Sequence, residues 1–297
     1  MARTYATPEG FRMALEQRLR AQVRQEGRDL TRARQILVFD RFLARVFRYL
    51  GDEVIVKGGI TLELRLDHAR TTKDVDLWMK GDPEGTLDRL RKLGALDLGD
   101  FLSFVVEPDK AHPVLTGPGM VYEGQRFRCE ARLAGKLYGG RFGVDVGFAD
   151  ALTVEPDLVE GSSFLDFAGV EPAVMRIYPR VTHLAEKLHA YTMPRERENT
   201  RVKDLPDLAL LASLGPLDGA ELREAMTATF AFRKTHAVPA AIPEPPSQWE
   251  PIYARMASSD DLRWKTLGDL LIAVRGFLDP VLGGVVGVWD HEAWSWS

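Results

Sequence analysis

Within residues 54–79 the chain passes from a β-branched run, Val54-Ile55-Val56, through Gly58-Gly59 and a helical stretch carrying Leu62, Leu64 and Leu66, into Asp74-Val75-Asp76-Leu77-Trp78-Met79. Two strand signals so close together, with a Gly pair between strand and helix, require a mixed α/β sheet. In the second strand alternate side chains share a face, so Asp74 and Asp76 point one way and Val75 and Leu77 the other. Two carboxylates held that close repel, and a hard divalent cation such as Mg2+ relieves them. Acids at loop ends are common, so the pair gains meaning only from its neighbours.

The rest of the chain organises around this segment. Residues 9–25 and 30–50 have helical spacing, the second with Ile36, Phe39, Leu43, Val46 and Leu50 on one stripe and Arg34, Arg41, Arg45 and Arg48 largely between them, stopped by Gly51. Residues 84–93 predict helix and 101–106 strand, while 121–148 alternate apolar and polar residues in two runs broken by Gly139-Gly140, a β-hairpin signal. The expected sheet has four or five strands. From about Val181 the pattern is helical to the end, with Leu184, Leu188 and Tyr191 on one stripe and Leu205, Leu208, Leu211 and Leu214 on another, and residues 239–246 form a stiff Pro-rich connector. The expectation is an α+β protein with a basic helical segment at 1–50, an α/β core at 51–180 and a helical domain at 181–297.

Of 297 residues 45% are hydrophobic and 28% charged, which excludes collagen-like and disordered chains, and no apolar run reaches the ~18 residues of a membrane helix. The single cysteine, Cys129, permits no internal disulfide, and no secretion signal is visible, so the expectation is a soluble cytoplasmic protein without a membrane partner. A formal charge of -4 argues against nucleic acid only if charge is evenly spread, and residues 1–50 hold eleven Arg and no Lys against five acids. Arg suits bidentate phosphate contacts, so this segment suggests polyphosphate or RNA, with Arg34, Arg41 and Arg45 as candidate RNA contacts; a solvated helix face is the plain alternative.

Three features bear on the acid pair. Lys57-Gly58-Gly59 ends a strand and opens a helix, where bare backbone can approach phosphate oxygens; otherwise it is a tight turn. Asp145 lies in the apolar run Phe142-Gly143-Val144-Asp145-Val146, where it is either a third carboxylate of a two-metal site for nucleotidyl transfer or an acid bonded to backbone amides. In the helical half, Lys187 stands beside an apolar stripe, Arg201 and Lys203 add cations, and Asp204 and Asp207 suit a helix N-terminus, where capping is the simpler account of Asp204. His189 reads as a packing residue. Cys129 has no His partner, the six His lack zinc spacing, and no G-x-S-x-G, Walker or Rossmann pattern occurs.

Four motifs in order, Lys57-Gly58-Gly59-Ile60-Thr61-Leu62-Glu63-Leu64-Arg65, Arg70-Thr71-Thr72-Lys73-Asp74-Val75-Asp76, Lys187-Leu188-His189-Ala190 and Arg201-x-Lys203-Asp204-x-x-Asp207-Leu208, resemble the AbiEii/AbiGii nucleotidyltransferase toxins, most closely their MenT-like branch. The likeness spans roughly residues 30–215. It implies the DNA polymerase β-like nucleotidyltransferase fold, a mixed sheet with flanking helices followed by a C-terminal helical bundle. It further implies a type IV-like toxin restrained by a cognate antitoxin encoded nearby, which moves nucleotides from an NTP to the 3′ end of tRNA and so blocks aminoacylation and translation. On this chain the resemblance puts Asp74, Asp76 and Asp145 on two Mg2+ ions, and makes Asp74, Asp76, Asp145, Lys187 and Asp207 catalytic. It sets Lys57, Gly58, Gly59, Thr61, Lys73, Lys187 and Arg201 around the nucleotide. Relatives usually carry Ser or Thr directly after the Gly pair; here Ile60 stands there and Thr61 supplies the nearest hydroxyl. Thr72 occupies the place of a hydroxyl that antitoxin kinases phosphorylate in the MenT-like branch, where a phosphate would repel NTP and metal. Two other readings are a nucleotidyltransferase acting on a small molecule or protein hydroxyl, and a silent RNA- or antitoxin-binding protein.

Overall fold

A computed structural model describes residues 5–66, 69, 71–115, 124–148, 154–196, 198–284 and 287–297. Two helices, α1 (Pro8–Glu26) and α2 (Leu30–Leu50), precede β1 (Val54–Lys57), α3 (Ile60–Arg65), β2 (Asp74–Met79), α4 (Thr86–Gly94), β3 (Leu102–Pro108), β4 (Val114–Leu115), β5 (Gly124–Leu133), β6 (Lys136–Gly147), β7 (Asp157–Glu160) and β8 (Val174–Ile177). The helical half then runs α5 (Arg180–Thr192), α6 (Asp204–Ala212), β9 (Leu217–Asp218), α7 (Gly219–Arg233), α8 (Glu250–Ser259), α9 (Leu267–Leu282), β10 (Val288–Asp290) and β11 (Ser295–Trp296).

Among the described residues the sheet has eight strands, not four or five, in the order β3-β5-β6-β2-β1-β8-β7 with β4 paired to β5. The additional strands, β4, β7 and β8, are two to four residues long, too brief for their periodicity to be read. β2 pairs parallel with β6, and β1 parallel with β8; the other pairings are antiparallel. The hairpin also turns elsewhere than expected. Ala134 (φ 52°) and Gly135 (φ 71°) make the two-residue turn between β5 and β6, and both take the left-handed conformation that tight hairpins favour. Gly139-Gly140 lies inside β6 beside a register shift at Glu130/Ala131, and a side chain at Gly139 would meet Val38 of α2 at 2.5 Å. The C-terminal half is not wholly helical either, because β9, β10 and β11 form a small second sheet.

Two cores result. One joins α1 and α2 to the sheet through Phe39, Phe42, Phe104 and Phe142, whose rings meet at 5.1–5.4 Å between centroids. The other gathers Leu184, Leu188, Leu205, Leu208, Phe277 and Trp289 around α5, α6 and α9, and takes in Leu62 of α3. None of the described helices is long and apolar enough to cross a membrane.

The middle of α2 is buried on every side: residues 37–46 are all enclosed. Arg45 is 0% exposed and makes a two-point fork on Asp100, with Nη1 to Oδ2 at 2.9 Å and Nη2 to Oδ1 at 2.6 Å, and donates to the Leu96, Arg41 and Leu102 carbonyls. Arg41 donates to the same Asp100 at 2.9 Å. Both guanidiniums are spent inside the core, so the RNA contact expected of Arg41 and Arg45 is ruled out by burial. Arg34 instead ties α2 to α1 through Glu16, which also accepts from the Tyr138 hydroxyl. Removing one partner of a fully buried pair strands the other charge. Arg45→Ala should cost about 3–5 kcal/mol in urea denaturation.

Candidate active site

The acids reach one place because of sheet register. Lys57 on β1 lies opposite Asp76 on β2, Asp76 opposite Asp145 on β6, and Asp145 opposite Arg126 on β5. Facing residues of paired strands point to the same side of a sheet, so this row presents four side chains in the charge order plus, minus, minus, plus. Asp74 stands one step along the same face, opposite Gly143, where a side chain would come within 2.4 Å of its Oδ1. Val75 and Leu77 point into the core.

The turn after β1 is shaped around these acids. Gly58 has φ +71°, and a Cβ there would sit 1.9 Å from Asp76 Oδ2, so the carboxylate lies directly against bare backbone. Thr61 is buried; its hydroxyl donates to the Gly58 carbonyl at 2.8 Å and meets His183 Nδ1 at 3.2 Å. That hydroxyl braces the turn, and the phosphate contact expected of it is not available from this position. Burial, then the Lys187 charge, depress the His183 ring to about 3, so it is neutral.

Asp76 is half-buried, and its pKa is pushed up to about 6, by burial first and by the Asp145 charge second, with Lys57 and Lys187 pulling it back. Crowded carboxylate oxygens in a half-buried setting are the donor set of a hard divalent cation. The residues therefore fit such an ion, with Asp74 and Asp76 presented together. Among the described residues no three donors converge closely enough to share one, and both oxygens of Asp145 are turned to Arg126 at 2.7 Å each.

Lys187 stands on α5 with its ammonium between two buried acids of α6, 2.9 Å from Asp204 Oδ1 and 2.7 Å from Asp207 Oδ2. Capping, the simpler expectation for Asp204, is not what its side chain does: α6 has no side-chain cap bond, and both acids clamp Lys187. Arg201 is half-exposed beside Asp204 at 3.9 Å, and Lys73 is exposed. Thr72 is 7% exposed; its amide donates to Glu63, its carbonyl accepts from Arg32, and its hydroxyl points at the Asp74 carbonyl at 3.4 Å. Arg70 of the expected motif lies outside the described residues. Sequence reading missed Arg126 and His183. Arg126 was hidden because a turn at Gly139-Gly140 would set Asp145 opposite Ala134, whereas the turn at Ala134-Gly135 together with the register shift at Glu130/Ala131 sets it opposite Arg126.

Residues 41–271 match the sequence profile described as nucleotidyl transferase AbiEii toxin, type IV toxin–antitoxin system. The chain belongs to the AbiEii nucleotidyltransferase toxin family. The match runs well past residue 215 and takes in α7, α8 and the start of α9. No curated protein matches the chain in sequence. Among solved structures, the MenT4 nucleotidyltransferase toxin of Mycobacterium tuberculosis superposes with a TM-score of 0.59 at 14% identity, covering 95% of this chain and 92% of its own. JHP933 from Helicobacter pylori gives 0.44 at 16% identity, with 82% of this chain and 94% of its own covered. At such identities the likeness to MenT4 is one of fold: a mixed central sheet, flanking helices and a C-terminal helical region. The row of charges therefore lies in a nucleotidyltransferase fold, whose members take an NTP.

The folded-state pKa of Asp76 lies above its unfolded value, so the folded protein holds the extra proton between about pH 4 and 6, and stability falls as pH rises through that window. Asp76→Asn should therefore raise the stability of the metal-free protein by about 1–2 kcal/mol at pH 7.5, with the gain fading toward pH 4, as read from denaturation curves at both values. Lys187→Ala strands Asp204 and Asp207 and should cost about 3 kcal/mol or more, much of it recovered in Lys187→Met/Asp204→Asn/Asp207→Asn.

Proposed function

We propose that the protein is an Mg2+-dependent nucleotidyltransferase that moves a nucleotide from an NTP onto the 3′ end of tRNA, which blocks aminoacylation and translation. The observation that carries this reading is the row in which Asp76 lies between Lys57 and Asp145, with Asp74 on the same face and the bare backbone of Gly58 against it. Family membership supports nucleotidyl transfer; the choice of tRNA rests on the motif resemblance to the MenT-like branch.

Asp74 and Asp76 would hold the Mg2+ ions, which when bound would supply charge neutralisation at the transferring phosphorus. The 3′ oxygen of the acceptor attacks the α-phosphorus and pyrophosphate leaves. The Gly58-Gly59 turn lets the triphosphate approach backbone amides, with Lys57 and Lys73 lending positive charge along its path. Lys187, gripped by Asp204 and Asp207, acts as an ammonium fixed in place, so Asp207 supports activity by positioning it. Arg201, exposed beside Asp204, adds positive charge next to this clamp. A cognate antitoxin encoded nearby restrains the toxin. Thr72 is its point of modification, and because the hydroxyl is buried, residues 71–73 must first come away from Glu63 and Arg32.

With Arg41 and Arg45 committed to Asp100, the charge that steers RNA falls to exposed arginines of α1, Arg20 and Arg24. Incubation with each labelled NTP, total tRNA and Mg2+ tests the chemistry: Asp74→Ala or Asp76→Ala should lower tRNA labelling at least about a hundredfold, and wild-type-like transfer by either overturns the reading. Arg20→Gln/Arg24→Gln should weaken tRNA binding in a filter or fluorescence assay and reduce the steepness of its salt dependence by up to about two, one per lost phosphate contact.

A further inference from the structure

The pairing of Arg126 with Asp145 is a fork, Nε to Oδ1 and Nη2 to Oδ2, both at 2.7 Å, between facing residues of adjacent strands. Such planar two-point contacts are the strongest and most specific carboxylate pairings a guanidinium makes. The fork consumes both oxygens of the one acid that would complete a cluster with Asp74 and Asp76. The partners differ in their surroundings: the Asp145 side chain is 14% exposed and that of Arg126 is 37% exposed. Arg126 therefore approaches from the solvent side and can swing off without opening the core, whereas Asp145 is held in place by β6.

The sheet also shows why a cation is needed there. Asp145 faces Asp76 directly across the β2–β6 pairing, so two like-charged carboxylates stand side by side. Lys57 balances the row at its β1 end and Arg126 at its β5 end. Arg128, the next outward residue of β5, is committed to Asp109 at 3.1 Å and does not compete for Asp145.

We infer that Arg126 is a stand-in cation: it holds the Asp145 carboxylate oriented until a divalent ion binds, and must release it before Asp145 can join Asp74 and Asp76 around that ion. This rests on the reading above that those acids hold the ion. Arg126 is then a positioning residue that competes with the metal, opposite in sign to a brace that helps Asp145 toward the metal. A brace, when removed, loosens metal binding; a competitor, when removed, tightens it.

Titration of the full-length protein with Mn2+ alone, by calorimetry or by the loss of free-ion electron paramagnetic resonance signal, separates the two. Arg126→Ala and Arg126→Met, the latter keeping an apolar stem on β5, should bind Mn2+ about fivefold tighter than wild type, while Arg126→Lys should stay near wild type. Adding Asp145→Asn to Arg126→Met should abolish the gain. Both neutral variants should also melt at lower temperature than wild type without metal and show a larger upward shift on adding Mn2+. Unchanged or weaker Mn2+ binding by Arg126→Met overturns the inference. If Asp76→Asn binds Mn2+ as well as wild type, the metal-site reading itself falls; if Asp76→Asn loses binding but Arg126→Met gains none, only the stand-in role falls.

Discussion

The parallel pairing of β2 with β6 is the constraint on which the rest of the site depends. It sets Asp76 beside Asp145 although they lie far apart in the chain, and pairing on either side then brings Lys57 and Arg126 into the same row. A slip of one residue in that register would turn Asp145 into the core and Val144 or Val146 outward. The apolar face of the same strands, with Val75, Leu77, Val144 and Val146 buried in the core they share with α2, holds the register and so protects the chemistry on the other face.

Charge inside this molecule is managed by pairing. Arg45 and Arg41 share Asp100, Lys187 sits between Asp204 and Asp207, and Arg126 forks onto Asp145. These pairs differ in accessibility, and accessibility decides their role. The Asp100 pair is sealed and cannot exchange partners, so it fixes α2 against the β3 loop. The Lys187 clamp is nearly sealed and serves orientation. Arg126 alone among these cations is more than a third exposed, which is what permits exchange.

Much of the fold was legible because its signals are local. Helical spacing delimited α1 and α2 to within a residue or two, with Asp29 capping α2 through the Arg32 amide, and β-branched alternation marked β1 and β2. The hairpin turn was misplaced because Gly139-Gly140 is the stronger turn signal in sequence. The glycine at 139 is there because Val38 of α2 packs against it, a contact no local pattern reveals. The arginines of α2 misled for a related reason: their spacing suits an exposed face, and only the elements packed over that face show that it is covered.

The sequence by itself determined the types of α1, α2, β1 and β2 and the acid pair of β2, because helical spacing and a strand's two-residue period orient side chains without reference to anything distant. Tertiary structure decided which charges meet. Asp145 could face backbone or metal on sequence grounds, and the β5–β6 register assigned it to Arg126; Asp204 could cap its helix, and the approach of α5 assigned it to Lys187. Those outcomes turn on distances between strands and helices remote in the chain, and electrostatic energy depends on distance and burial, which composition and spacing do not encode.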